Sequence, residues 1–203
     1  MASGEGLVTV FSDIYRENLW NGDESLSGPG SGTAATRDVA KAIVQLVDEL
    51  HIRSVLDYGC GDGFWMPELP GYVGFDPTRL AIRRARELHP HREYLSGDGR
   101  LRGRTFDLVI CRDVIQHLSY ETARRVLQTI RVTHPRFLLA SHYLSTFNVD
   151  IRDGDAYSPN LTRPPFNMPE PERMIPDGAY YHEHDTGQMR DPQKYLALWR
   201  LRD

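Results

Sequence analysis

Asp57, Asp76, Asp98 and Asp113 each stand at the end of a short apolar run, and the first leads into glycines at alternate positions, Gly59, Gly61 and Gly63. A carboxylate so placed can accept hydrogen bonds from a ligand's hydroxyl or amino groups; a ribose diol is one such partner. Glycine has no Cβ, so the turn after Tyr58 can take unusual dihedrals and let a ligand lie against the backbone. His117 and His142 also follow apolar runs, and a neutral imidazole there can take a proton near neutral pH. Taken singly, each residue has an ordinary reading. Glycine punctuates loops, aspartate ends turns, and histidine often bonds backbone. Together, at successive strand ends, they read better as the walls of one pocket.

The elements that must position these residues follow from periodicity. Residues 7–20 carry Leu7, Val10, Phe11, Ile14, Tyr15 and Leu19 at helical spacing, with Asn21-Gly22 as the stop. The glycine- and serine-rich stretch 25–32 is expected to be a loop that folds over a ligand. Thr36 is expected to cap a helix whose apolar face is Val39, Ile43, Leu46, Val47 and Leu50. From residue 54 strands and helices alternate, the mark of a parallel sheet. The strands are Ser54–Tyr58, Tyr72–Phe75, Glu93–Leu95, Phe106–Cys111 and Phe137–Ala140; the helices are Thr78–His89 and Glu121–Val132. Six prolines between Pro159 and Pro176 mark a long ordered loop or lid, and 195–201 reads as a closing strand.

Composition narrows the function. The net charge of −4 argues against a nucleic-acid partner, and Arg83, Arg84 and Arg86 read as a solvated helix face. No apolar run approaches a membrane span and no signal peptide is apparent, so a cytoplasmic location is expected. Cys60 and Cys111 cannot build a disulfide framework or a zinc site, and they read as small buried fillers rather than a redox pair. His182-Glu183-His184 reads as a solvated turn, and no metal is expected. The turn differs from the dinucleotide fingerprint G-x-G-x-x-G, and the bulky Phe64-Trp65-Met66-Pro67 spoils the helix start that would receive a pyrophosphate.

The run Val55 to Gly63 resembles the first motif of class I S-adenosylmethionine-dependent methyltransferases, a hydrophobic strand followed by D-x-G-x-G-x-G. Asp113-Val114-Ile115-Gln116-His117-Leu118 resembles the segment after strand four in small-molecule members of that family. The resemblance covers roughly residues 52–142. It implies an α/β, Rossmann-like, mostly parallel sheet with helices on both faces, an N-terminal helical cap and a proline-rich lid before the last strand. One domain, 1–203, is expected: cap helices and glycine-serine loop (1–50), cofactor core (51–143), substrate lid (144–180) and closing strand region (181–203).

The implied cofactor is S-adenosyl-L-methionine. Asp57, Gly59, Gly61, Cys111 and Arg112 would line its site, Asp76 would bind the ribose, and Asp98 the adenine amino group. Trp20 would cover it. His117, then His142, are the candidate general bases. Tyr15, Asp113, Asn148, Asp150 and Phe166 are the candidate substrate contacts. Asp113, Asp150, Asp153 and Asp155 tilt the expected acceptor toward a small polar molecule bearing an amine or guanidine, methylated on oxygen or nitrogen. A peptide side chain as acceptor, and a module that binds the cofactor without turnover, remain alternatives. The expected partners are a small-molecule substrate and, as an open option, a second copy in a homodimer, with neither nucleic acid nor membrane.

Overall fold

The computed structural model describes residues 4–177 and 193–202. The His182-Glu183-His184 turn therefore lies outside the described residues. Seven strands form one sheet in the order β3-β2-β1-β4-β5-β7-β6. They are β1 (Val55–Tyr58), β2 (Tyr72–Phe75), β3 (Glu93–Leu95), β4 (Leu108–Cys111), β5 (Phe137–Tyr143), β6 (Arg173–Pro176) and β7 (Lys194–Arg200). Pairings among β1 to β5 are parallel, and β7 runs antiparallel to both its neighbours. The central strands β1, β2, β4 and β5 are buried along their whole length, as strands covered on both faces must be.

Four α-helices accompany the sheet: α1 (Gly4–Glu17), α2 (Thr33–Glu49), α3 (Arg79–Leu88) and α4 (Tyr120–Arg131). The α1 helix stops at Glu17, short of the expected residue 20, because Asn18 turns left-handed (φ +47°) and the Leu19 amide closes back on the Ile14 carbonyl. Thr36 is not a cap. The α2 helix starts at Thr33, whose amide and hydroxyl both donate to Glu24, while the Thr36 hydroxyl bonds back to the Gly32 carbonyl. The capping carboxylate comes from nine residues upstream, outside any local capping pattern.

No helix joins β1 to β2; residues 59–71 cross as loop. Backbone groups that a helix would satisfy are bonded by side chains instead, as the next section shows. The expected substrate lid is also largely something else. Residues 173–176 form the edge strand β6, and Leu161 and Met168 are buried in a cluster with Leu138, Val126 and Trp199. The proline-rich segment thus covers one face of the sheet, work that a crossover helix often does. Asn148, Asp150 and Phe166 serve that cover. Asn148 bonds the backbone at Asn160 and Pro164, Asp150 accepts the first amide of α4, from Tyr120, and Phe166 packs on the core and edge-on to Tyr120.

Leu161 is fully buried, so Leu161→Ala is expected to cost about 2–5 kcal/mol in denaturant unfolding. A segment acting only as a lid would lose far less.

Candidate functional site

A cavity of about 1060 Å³ opens at the carboxyl ends of β1, β2 and β4. Small-molecule sites run roughly 300–1,000 Å³, so this one has room for two ligands side by side. One end is the glycine turn. Gly59 sits at φ +79°, and a Cβ there would lie 2.3 Å from a Val114 methyl. Gly61 sits at φ +58°, and its Cβ would meet the Ser27 and Tyr15 hydroxyls at 2.2 and 2.6 Å. Only glycine fits either place.

Carboxylates hold this turn. Asp76 accepts from the Gly61 amide (3.1 Å) and the Thr78 amide (2.8 Å), and burial lifts its pKa to about 6. Asp57 accepts from the Tyr72 hydroxyl at 2.9 Å, and burial lifts it to about 7. Asp62 is fully engaged with the glycine-serine loop. The Ser25 hydroxyl and the Leu26 amide donate to it at 2.8 and 2.9 Å, and the Ser27 hydroxyl at 3.3 Å. It is therefore not the open acceptor for an amino group that its position in the turn suggests. The Thr78 hydroxyl is buried on the cavity wall beside Asp76, without a well-formed hydrogen bond in the protein. An orphaned hydroxyl next to Asp76, facing a glycine cradle, fits a ligand that brings its own hydroxyls, such as a ribose.

A closed ring of charge forms one side. Arg112 donates two parallel hydrogen bonds of 2.9 Å to Asp177, Lys194 lies 2.7 Å from Asp113 and 3.1 Å from Asp177, and Arg112 approaches Asp113 at 3.2 Å. Arg112 also donates to the Gly30 carbonyl and lies over the Trp65 ring, and the Ser141 hydroxyl donates to Asp113. Burial alone would raise Asp113, but the Arg112 and Lys194 charges hold it well below the usual carboxylate range. Asp113 and Arg112 thus line the cavity with their charges already matched.

His117 lies on a short helical turn at residues 115–117 and also lines the cavity. Its Nδ1 meets the Asp155 carbonyl at 2.9 Å, and a carbonyl can only accept, so Nδ1 carries the proton. Nε2 keeps the lone pair, which receives the Gln116 amide at 3.3 Å; Gln116 is oriented in turn by the Tyr143 hydroxyl at 2.9 Å. Trp20 lies against the ring, its centroid 5.0 Å away and its plane tilted by 33°. Burial lowers the His117 pKa, so the imidazole is neutral at pH 7.

The other expected residues divide. Tyr15 lines the cavity but belongs to its glycine end, bonded to Ser27 at 2.5 Å. His142 is a correction. It lies within β5, not beyond it, and successive strand side chains face opposite ways. Ser141 points to the charged ring, so His142 points away, where its Nδ1 accepts the Leu161 amide and its ring meets Trp199 edge-on. Cys111 is fully buried in β4 and does not line the cavity. Asn148, Asp150 and Phe166 lie outside the lining too, for the structural reasons given above. Asp98 opens a short helical turn, but its side chain is outside the described residues.

Some contributors escape sequence reading. Asp177 meets Arg112 across 65 residues and Lys194 meets Asp113 across 81, and only the rarity of lysine, two in the chain, singles out Lys194. Thr122, Arg125, Val126 and Thr129 line the far end from α4, a mixed set whose i, i+3, i+4, i+7 spacing marks one helix face. Facing them from α1 are Leu7, Val10 and Phe11.

A sequence model described as a methyltransferase domain matches residues 32–152. The chain belongs to the methyltransferase domain family. This methyltransferase is also similar in fold to solved structures across most of its length. Magnesium protoporphyrin IX methyltransferase from Synechocystis PCC 6803, with bound SAH, is 17% identical at a TM-score of 0.59, covering 95% of this chain and 98% of that one. N-methyltransferase NodS from Bradyrhizobium japonicum WM9 is 18% identical at 0.57, covering 84% and 98%. The methyltransferase domain of a bacterial Hen1 (CtHen1-CN) is 14% identical at 0.56, covering 82% and 100%. At such identities the likeness concerns the class I fold. No curated protein matches the methyltransferase in sequence. Among its described residues no helix is long and apolar enough to cross a membrane.

Removing one member of the charged ring leaves a buried charge without its partner. Asp177→Ala is expected to cost the methyltransferase about 3–5 kcal/mol in denaturant unfolding, because Arg112 then loses its bidentate acceptor.

Proposed function

We propose that this methyltransferase transfers a methyl group from S-adenosylmethionine to an oxygen or nitrogen of a small molecule, with His117 as general base. The single observation that carries the reading is the His117 imidazole: on the cavity wall, neutral, and fixed in one tautomer with Nε2 as its acceptor nitrogen.

The residues present fit the cofactor. Gly59 and Gly61 form the cradle, Asp76 and the orphaned Thr78 hydroxyl would take the ribose hydroxyls, and Trp20 with the 28–32 segment would cover it. When bound, S-adenosylmethionine supplies an electrophilic methyl group on a positively charged sulfur. The chain supplies orientation, exclusion of water and a proton acceptor. The α1 helix roofs the cavity and limits bulk water. The Gln116 amide holds the His117 lone pair, so an acceptor's O–H or N–H takes that place when the Gln116 side chain turns aside.

The acceptor end supports a refinement. The carboxylates that pointed to an amine or guanidine are already bonded: Asp113 in the charged ring, Asp150 to Tyr120, Asp153 to the Ser119 amide and Thr122 hydroxyl, Asp155 to the Arg152 amide. Beside them lies an apolar wall of Leu7, Val10, Phe11, Leu118 and Val126, with Arg125, Thr129 and Arg152 also on the lining. That wall favours an acceptor with an apolar body and one ionisable O–H or N–H.

Turnover and cofactor affinity test the reading. S-adenosylhomocysteine release across a panel of such acceptors should fall about a hundredfold or more in His117→Ala while calorimetric cofactor binding persists. In the wild type, kcat should be flat at neutral pH and fall only as His117 gains a proton, below its ordinary 6.5. Unchanged turnover in the variant at every pH would make His117 structural. Cofactor affinity should weaken as pH drops through about 6, where Asp76 takes a proton and loses its charge. Asp76→Asn should lower it about tenfold or more at pH 7.

A further inference from the structure

A second cavity of about 620 Å³ lies outside the site just described, against α3 and the turn after β3. Its lining is unlike the rest of the surface. Arg79, Arg83 and Arg86 reach it from α3 and Arg100 from the turn, with Ser96 beside them and Ile82 contributing an apolar patch. Its one carboxylate, Glu87, is engaged by Arg84 at 3.2 Å. Among the described side chains, none of the four lining arginines has an acidic partner. Several arginines elsewhere are paired, Arg92 with Glu68, Arg104 with Glu93, Arg173 with Glu49 and Arg200 with Glu172, whereas these four share one groove.

The arrangement also works against α3. Arg79 and Arg83 are four residues apart and Arg83 and Arg86 three, so like charges face each other along one stripe of the helix. The first turn of α3 holds no acidic residue, and Arg79 sits where the helix dipole disfavours positive charge. Arg86 is held in place by donating to the Tyr94 carbonyl at 2.7 Å, so this guanidinium is set before any ligand arrives. An anion in the groove would relieve all of these repulsions at once.

We propose that this groove binds a small molecule bearing two or more phosphate groups. Guanidinium forks match phosphate oxygens in bidentate pairs, and four of them around one groove of small-molecule size call for several anionic oxygens close together. The groove is distinct from the methyl-transfer cavity but shares its wall: Thr78 and Gly97 line that cavity, while the adjoining Arg79 and Ser96 line the groove. The proposal does not depend on the methyl-transfer reading.

Calorimetric titration of the full chain with inorganic pyrophosphate, in about 0.15 M salt to suppress diffuse attraction, tests it. Saturable one-to-one binding is expected, weakened at least about tenfold in the double variant Arg83→Ala, Arg100→Ala. Both residues are exposed, so an unchanged melting temperature is expected to show that the double variant folds. Arg124→Ala with Arg131→Ala, exposed arginines of α4, should leave binding intact. The proposal is overturned by no saturable binding, by equal weakening in the α4 variant, or by citrate binding as tightly as pyrophosphate. Tighter binding of a short RNA through Arg83 and Arg100 would likewise overturn it, assigning the groove to nucleic acid.

Discussion

The ring of Arg112, Asp113, Asp177 and Lys194 is the interaction on which the cavity depends. Two cations alternate with two carboxylates, each carboxylate touching both cations, so the charge is cancelled where it stands. Taking four charges out of water is costly, and only such mutual contact, with added bonds from Ser141 and to Gly30, offsets it. The ring members come from the end of β4, the end of β6 and the start of β7, while Ser141 and Gly30 bring in β5 and the glycine-serine loop. That fixes the antiparallel pair β6–β7 beside the cavity.

The opposite wall solves another problem. Without a helix after β1, the glycine turn has backbone amides that need partners, since unpaired buried N–H groups are costly. Asp76 takes the Gly61 amide, Ser27 takes that of Asp62, and Asp62 takes those of Phe64 and Leu26. The pinned loop therefore belongs to the cofactor end of the cavity and helps to define its shape. Burial raises the Asp76 carboxyl, which does part of this, to about 6, and that of Asp57, bonded to Tyr72, to about 7. A raised carboxyl holds its proton in the folded chain more tightly than in the unfolded one. Its contribution to stability is therefore largest at acid pH and declines as pH rises toward 7. Asp113 runs the other way, contributing above its unfolded pKa and losing that contribution as pH falls into strongly acid conditions.

The two histidines show how one residue of displacement decides a role. Both follow apolar runs. His117 lies on a helical turn that lines the cavity, and its bond to the Asp155 carbonyl leaves Nε2 as the acceptor nitrogen, met by the adjoining Gln116. His142 lies on a strand, where alternation sends it to the far face, and its acceptor nitrogen is taken by the Leu161 amide. The proline-rich segment supplies the His142 partner, Leu161, and the loop just before it supplies the His117 partner, Asp155.

The sequence alone determined the parallel sheet, the glycine turn and the aspartates at its strand ends, because these rest on local rules. Alternating strand and helix patterns, positive-φ turns and apolar periodicity are written within a few residues of one another. The tertiary structure decided everything that depends on distant partners. Glu24 caps α2 from nine residues away, Asp177 and Lys194 neutralise Arg112 and Asp113 from the far end of the chain, and the expected lid is drawn into the core by Leu161 and Met168. Most of the carboxylates that seemed to invite a cationic acceptor are spent on such bonds. A side chain's type shows what it can bond, but its availability to a ligand depends on which distant segment folds against it first.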